Sequence, residues 1–583
     1  MFHPGQLLLP WIVAGTILGC TVPAGVGSRQ DAGPSPQSGG SPKRVTTSVM
    51  DEPSLFNAKL SSVAVRGMDA VEELLHVGLA TLDPMGALVP RLAEAVPTIE
   101  NGLWKLQTDG RMETRARIKA GARWHDGIPL TADDLLFTMV VGRDRELGAF
   151  GNLAYDFIEA VEAPEPDLIV VRWRRPFIEA DTMFTRVRAL PLPRHILEKP
   201  YSEDRASFTE LPYWGDEFVG LGPYKLAQWV RGSHLILTAN PLYAPGRPEI
   251  DEIEVRFISD PNAVIASVLA GSLDVTLGRG LSLEQAVLMR DQWRDGSMEV
   301  SPASWIILWP QFLNPEPAVM ADIRFRRAAA HAIDRQQLVE TLVFGLTSVG
   351  HTYLSPRDPA YPTTLADPGA QPGAGGIARY EYDPRRAAAL IEDLGYTKGT
   401  DGQYRDRGGQ RLALEVRTSS GDTLRERLLL AVSDYWQRAG VGVEPMVIPR
   451  VQAQDAAYFH TFPAFILSRN PNSIAALTNF HSRAIPTAEN GFKGTGGTNY
   501  ARYASPDLDS LIDRIFVTIP MAERLGAAGQ IVHHMADQVN VIGLFYSTDQ
   551  NMISSRLLHV NARAEGATEA WNAHEWRLRP SAD

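Results

Sequence analysis

The sequence predicts a mixed α/β protein of more than one domain, on three observations. At 583 residues and 44% hydrophobic content the chain suffices for about three or four buried cores, at roughly 100 to 200 residues each. Runs of β-branched and aromatic residues alternate with stretches of helical period along the body. There is no heptad series and no short repeat, which excludes a coiled coil and a solenoid.

The strand candidates, in order, are Val45 to Val49, Leu168 to Trp173, His234 to Thr238, Ile253 to Ile258, Trp305 to Phe312, Leu412 to Thr418 and Val443 to Ile448. Helix candidates are Thr131 to Val141, Pro261 to Ala270, Ile323 to Leu342, Pro384 to Leu394, Thr423 to Ala439 and Ser505 to Val517. Thr131 can cap its helix, and Asp133 and Asp134 then sit in the first turn, where the helix dipole favours acids. Asp383 followed by Pro384, and Ser505 followed by Pro506, pair an N-cap residue with proline at the first helical position.

Charge and cysteine content narrow the function classes. Lys+Arg 56 against Asp+Glu 68 gives a net charge of -12, with no long basic block, which argues against a nucleic-acid partner. A single Cys excludes an internal disulfide, a thiolate zinc cluster and an iron-sulfur site.

That cysteine, Cys20, closes the apolar run from Leu7 to Gly19. The run, at about a dozen residues interrupted by Pro10, is too short for the roughly 20 that a membrane span needs. Ile17, Leu18, Gly19 and Cys20 resemble the bacterial lipobox, whose Cys is lipidated and becomes the new amino terminus. Leu18 is larger than the usual small residue, and Met1 to Gly5 carry no Lys or Arg. Residues 1–20 are therefore expected to be a lipoprotein signal peptide, the alternative for Cys20 being an inert buried thiol. Residues 21–44, rich in Gly, Pro and Ser, are expected to form a flexible tether. The body from about Val45 would then be extracytoplasmic and lipid-anchored to the membrane.

Enzyme motifs are missing: there is no Walker loop, His-Glu-x-x-His helix, Gly-x-Ser-x-Gly elbow or EF-hand. Gly491 to Thr498 is glycine-rich but lacks the Gly-Lys-Ser/Thr ending of a phosphate loop. His533 and His534 point about 100° apart on a helix and cannot share one metal. Trp124-His-Asp-Gly127 reads as a strand end and turn, with Gly127 at positive φ. No catalytic residue, metal or cofactor is assigned.

Several segments in order resemble the extracytoplasmic solute-binding proteins of the dipeptide/oligopeptide type, family 5, which deliver ligand to ABC importers. The most specific are Val89-Pro-Arg-Leu-Ala-Glu-Ala95 and Arg123-Trp-His-Asp-Gly-Ile-Pro-Leu-Thr-Ala-Asp-Asp134. Gly222-Pro-Tyr224, Trp229, Asn240-Pro-Leu-Tyr243, Gly271-Ser-Leu-Asp274, Asn314, Arg324 to Ala328, Ala332-Ile-Asp-Arg335, Tyr382-Asp-Pro384, Leu394-Gly-Tyr396, Ala439 to Val443, Asn499 to Tyr503 and Leu508 to Leu511 follow. The resemblance spans roughly Val45 to Tyr546. It implies a periplasmic-binding-protein-like α/β fold of class II, cluster C type, with two lobes joined by a hinge and a third domain inserted in the first. By resemblance, lobe I would combine 45–63, 190–281 and 499–583, the inserted domain would be 64–189, and lobe II 282–498.

The resemblance also frames the ligand. Peptide-binding members carry in the second lobe a Trp and, shortly after, an Asp that pairs with the peptide ammonium. The corresponding stretch here, Phe465-Ile-Leu-Ser-Arg-Asn-Pro471, has neither, and Arg469 reverses the local sign. A free-amine peptide is thereby disfavoured, because an unpaired buried ammonium is costly. Trp305 and Trp309 fall on one face of a strand and are either an aromatic platform for ligand or core. Arg66, Met68, Asn470 and Phe492 lie in segments that border the cleft in relatives. The expected protein is a non-enzymatic, monomeric substrate-binding lipoprotein that takes a small organic ligand (a peptide, an oligosaccharide or similar) to a membrane permease. A receptor feeding a sensor, or a binding scaffold with chaperone activity, is the other reading.

Overall fold

The computed structural model describes residues 42–60, 67–277, 280–356, 361–362, 376–492, 494, 497–564 and 566–580. Cys20, the proposed signal peptide, nearly all of the tether and Arg66 lie outside the described residues. From Lys43 onward the chain forms one unit.

Its strands, in chain order, are β1 (Arg44–Val49), β2 (Ala80–Leu82), β3 (Leu88–Pro90), β4 (Trp104–Leu106), β5 (Met112–Arg117), β6 (Ile158–Glu165), β7 (Leu168–Trp173), β8 (Tyr224–Val230), β9 (His234–Ala239) and β10 (Glu252–Phe257). There follow β11 (Val275–Thr276), β12 (Gly296–Pro310), β13 (Thr397–Lys398), β14 (Tyr404–Arg405), β15 (Ala413–Ser419), β16 (Gly442–Ile448), β17 (Phe465–Asn470), β18 (Ile542–Ser554), β19 (Leu557–Leu558) and β20 (Arg577–Leu578). One large sheet runs β16-β15-β17-β12-β18-β11-β1-β10-β9-β8. Parallel β1 joins β10 and β11 at one end, and parallel β15 joins β16 and β17 at the other. The antiparallel pair β12 and β18 connects the two halves, from Gly296 opposite Ser554 to Leu308 opposite Ile542.

In the second half the sheet is buried on both faces, and its strands read as continuous apolar runs for that reason. Ile306 and Leu308 of β12 enter one core, with Phe325, Leu428, Trp436 and Phe465. Trp305, Ile307 and Trp309 enter the opposite core, with Phe480, Ile512 and Ile531. In the first half, Val45, Leu235, Leu237, Ile253 and Val255 gather with helix Met68–Leu75. The smaller antiparallel sheet β4-β5-β7-β6 packs with helix Ala132–Arg143 around Trp124 and Trp173.

This packing differs from the expected residue boundaries at three places. Helix Met68–Leu75 buries its apolar residues in the first-half core rather than in the inserted domain. Helix Leu283–Gln292 packs through Ala286 and Met289 on helix Pro261–Leu269, beside the first half. Ala501 to Val541 joins the second-half core, because helices Pro506–Val517 and Met521–Gln538 cover Trp305 and Trp309. The single helix expected over Ile323 to Leu342 is two, Ile323–His331 and Arg335–Leu342. Asp334 accepts the Gln337 N–H at 2.9 Å, and this new N-cap competes with continuation of the helix.

Candidate ligand cleft

The two halves of the large sheet meet at the β12–β18 pair, which has its own polar chemistry. The β12–β18 register shifts between Pro302 and Trp305, next to Pro302, which has no amide hydrogen to donate. At the shift, Ser304 N donates to Ser547 Oγ at 3.1 Å, and the two hydroxyls lie 2.8 Å apart. On the first-half side, Arg563 is buried between Asp549 of β18 and Glu569, bonding the latter through Nε at 3.0 Å. Glu73 accepts from Thr568 Oγ1 at 2.6 Å and Thr81 Oγ1 at 2.9 Å, tying helix Met68–Leu75 to the carboxy-terminal segment.

On the second-half side the end of β17 brings Arg469 to Asp422. Arg469 Nε donates to Asp422 Oδ2 at 2.9 Å, and its NH2 nitrogen lies 2.7 Å from the same oxygen. Arg425 Nε donates to that oxygen as well, at 2.9 Å, while its backbone N–H bonds Oδ1 at 3.1 Å. Asp422 is thus the N-cap of helix Thr423–Ala439 and the shared partner of two guanidinium groups. Burial pushes its carboxyl up, but the charge of Arg469 and the amide and charge of Arg425 outweigh burial and hold it below the usual range. The cluster carries one net positive charge.

Beside it, Asn470 is buried. Its Oδ1 accepts from Asn479 Nδ2 at 2.9 Å, and Asn479 Oδ1 accepts the Thr498 N–H at 3.0 Å, which fastens β17 to the glycine-rich segment. Phe492, at φ 57°, donates its N–H to Thr487 O at 2.7 Å. Tyr500 packs 5.5 Å from the ring of Trp309 and 5.4 Å from His460.

Trp305 and Trp309 share a face, as period two requires, but that face is core. They are 2% and 0% exposed, and their indole N–H groups are committed to Gly350 O at 2.9 Å and Ser468 Oγ at 2.8 Å. Met68 is likewise buried in the first-half core. Of the site candidates, Arg469 forms the cluster with Asp422 and Asn470 follows it at the end of β17, while Phe492 lies in the segment after Thr487. Sequence reasoning missed Asp422 and Arg425: an Asp before a helix is legible as a cap, but its pairing with Arg469, 47 residues on, is not.

The most specific motif is scaffold. Trp124 is buried with its Nε1 3.4 Å from Asp134 Oδ2, and Asp134 closes a capping box with Thr131. His125 accepts the Gly220 N–H at 3.1 Å and donates to Gly222 O at 3.2 Å, locking this turn to the Gly222-Pro-Tyr224 loop. Gly127 has the positive φ, 91°, that the turn requires.

The family model for bacterial extracellular solute-binding proteins, family 5 Middle, matches residues 87–490. The chain belongs to this family. Family 5 proteins bind solutes rather than catalyse reactions, and this chain is the extracytoplasmic substrate-binding component of an ABC importer. The oligopeptide-binding protein AppA of Bacillus subtilis is 24% identical over 417 residues, 71% of this chain and 70% of that protein. The periplasmic oligopeptide-binding protein of an oligopeptide ABC transporter from Thermotoga maritima superposes with a TM-score of 0.73 at 18% identity, over 92% of this chain and 99% of that one. NikA from Brucella suis in complex with Fe(III)-EDTA gives 0.69 at 17%, over 92% and 100%. The two superpositions show the same periplasmic-binding-protein-like fold. Among the described residues no helix is long and apolar enough to cross a membrane.

Proposed function

We propose that this family 5 protein captures, between its lobes, a solute that is anionic or neutral where it meets Arg469, and hands it to a membrane permease from a lipid anchor at Cys20. The observation that carries the ligand reading is two guanidinium groups on the one carboxylate of Asp422. An incoming ammonium would have to displace a guanidinium from that carboxylate and would meet like charge. At about 5 Å and an effective dielectric of about 20, one such repulsion is worth roughly 3 kcal/mol. A carboxylate, a blocked amino terminus or a sugar hydroxyl carries no such penalty. The Fe(III)-EDTA complex of NikA supports a fold that accommodates polycarboxylates. Lobe I combines the first-half strands with Ser555 onward, lobe II holds Trp305 to Phe545, and a monomer suffices. Ligand that touches both lobes stabilises their closed arrangement by differential affinity.

Calorimetric titration with free and N-acetylated tri- to pentapeptides tests the reading. The N-acetyl forms should bind at least tenfold more tightly than the free forms, and Arg469→Ala should narrow that gap. Tight binding of free peptides, weakened by N-acetylation, overturns it.

A further inference from the structure

The core of the small sheet is a second meeting point of the two halves, apart from the β12–β18 ladder. Leu221, before β8, and Tyr243, after β9, enter it from the first half, and Ile519, 5% exposed, enters it from the second. Ile474 and Phe516 pack against this core and against the second-half core at once. Ile519 lies in the turn between helices Pro506–Val517 and Met521–Gln538, so the same helices that cover Trp309 reach the small sheet. Opening one half from the other must either draw Ile519 out of this core or pull the core off Leu221 and Tyr243.

The polar side of this junction is unfinished. Arg524 stands in the first turn of its helix, where the dipole disfavours a cation, and its Nε and Nη1 are buried without a hydrogen-bond partner among the described residues. Its Nη2 donates to Met521 Sδ, a weak acceptor, at 3.4 Å. The acids that face it are Asp181 and Glu179, in the segment that gives Ala180 to the small-sheet core. Glu179 is taken by Arg188, whereas Asp181 has no ion pair among the described residues. Burial pushes the Asp181 carboxyl up to about 6, against the charge of Arg524. Orphaned buried donors and a desolvated carboxylate are both costly, and bringing the two together relieves both costs.

We propose that this turn is a clasp that holds the second half against the small sheet as the ligand cleft closes, with Ile519 as its apolar plug and Arg524 completing it by donating to Asp181. The clasp engages without ligand, so a share of the unliganded protein is closed before solute arrives. It rests on the two-lobe fold and not on what binds near Arg469.

Double electron–electron resonance between spin labels at Val140→Cys and Leu430→Cys, in a Cys20→Ser background, tests this, since both sites are exposed and lie on helices of the small sheet and the second half. The protein is refolded from guanidinium first, to strip retained solute. A short-distance population should be present in the unliganded parent. Arg524→Gln, Asp181→Asn and Ile519→Ala should each deplete it at least threefold, and the Arg524→Gln, Asp181→Asn double variant should deplete it no further than either change alone. Absence of a short-distance population in the parent, a distribution left unchanged by any of the three single substitutions, or losses that multiply in the double variant overturns the proposal.

Discussion

His76 and His125 are buried as neutral rings, each accepting a backbone N–H at Nδ1 and donating to a carbonyl from Nε2. Desolvation lowers them to about 4 and about 3 respectively, against hydrogen bonds to Pro191 O and Gly222 O that work the other way. Below 6.5 the unfolded chain takes up protons that the folded chain refuses, so each ring withdraws stability as pH falls from 6.5 toward its folded value. Each contributes at most about 1.4 kcal/mol per pH unit within that window. His125→Gln should lower stability at neutral pH yet reduce the slope of unfolding free energy against pH, between about pH 6 and pH 4, by close to one proton. Urea unfolding at a series of pH values reads that slope directly. The turn around His125 was legible because Asp126 and Gly127 impose local chemistry. The partners of His125, at Gly220 and Gly222, were not, because 95 and 97 residues separate them from it.

At the scale of elements, period and caps carried most of the reading. The expected Leu168 to Trp173 and Thr423 to Ala439 coincide with a strand and a helix, and Asp383, Thr131 and Ser505 cap where their chemistry allows. β18 escaped notice because Ser547 to Asn551 is a polar run within it, and the first nine residues of β12 because Pro302 and three serines interrupt the pattern. Both strands are held by each other's ladder, from Gly296 opposite Ser554 to Leu308 opposite Ile542, partners far apart in the chain, a tertiary cause that propensity does not contain. The same pairing fixes a close approach: a Cβ on Gly543 would lie 1.9 Å from Gly350 O and 2.5 Å from the Trp305 ring. Gly543→Ala should therefore cost about 1–3 kcal/mol or more through overpacking. Trp309→Ala should cost about 3–5 kcal/mol through the cavity it leaves and the Ser468 hydroxyl it deprives. Denaturant midpoints measure both.

For the molecule as a whole, composition and motifs gave the family and the two-lobe plan, while packing decided which residues belong to which body. The lobes are not beads on a string, because β12 and β18 run through both and place them in one hydrogen-bonded sheet. Melting one lobe would strip the ladder from the edge of the other, so the two should form a single cooperative unit in differential scanning calorimetry, with van't Hoff and calorimetric enthalpies in agreement. The sheet β4-β5-β7-β6 is outside that ladder: its four strands pair only among themselves, over a core that Leu221, Tyr243 and Ile519 join from elsewhere in the chain. If any part of this protein melts ahead of the rest it should be this one, as a separate low-temperature shoulder of smaller enthalpy, and a single symmetric peak with matching enthalpies would show that its packing on the lobes, not its sheet, sets its stability.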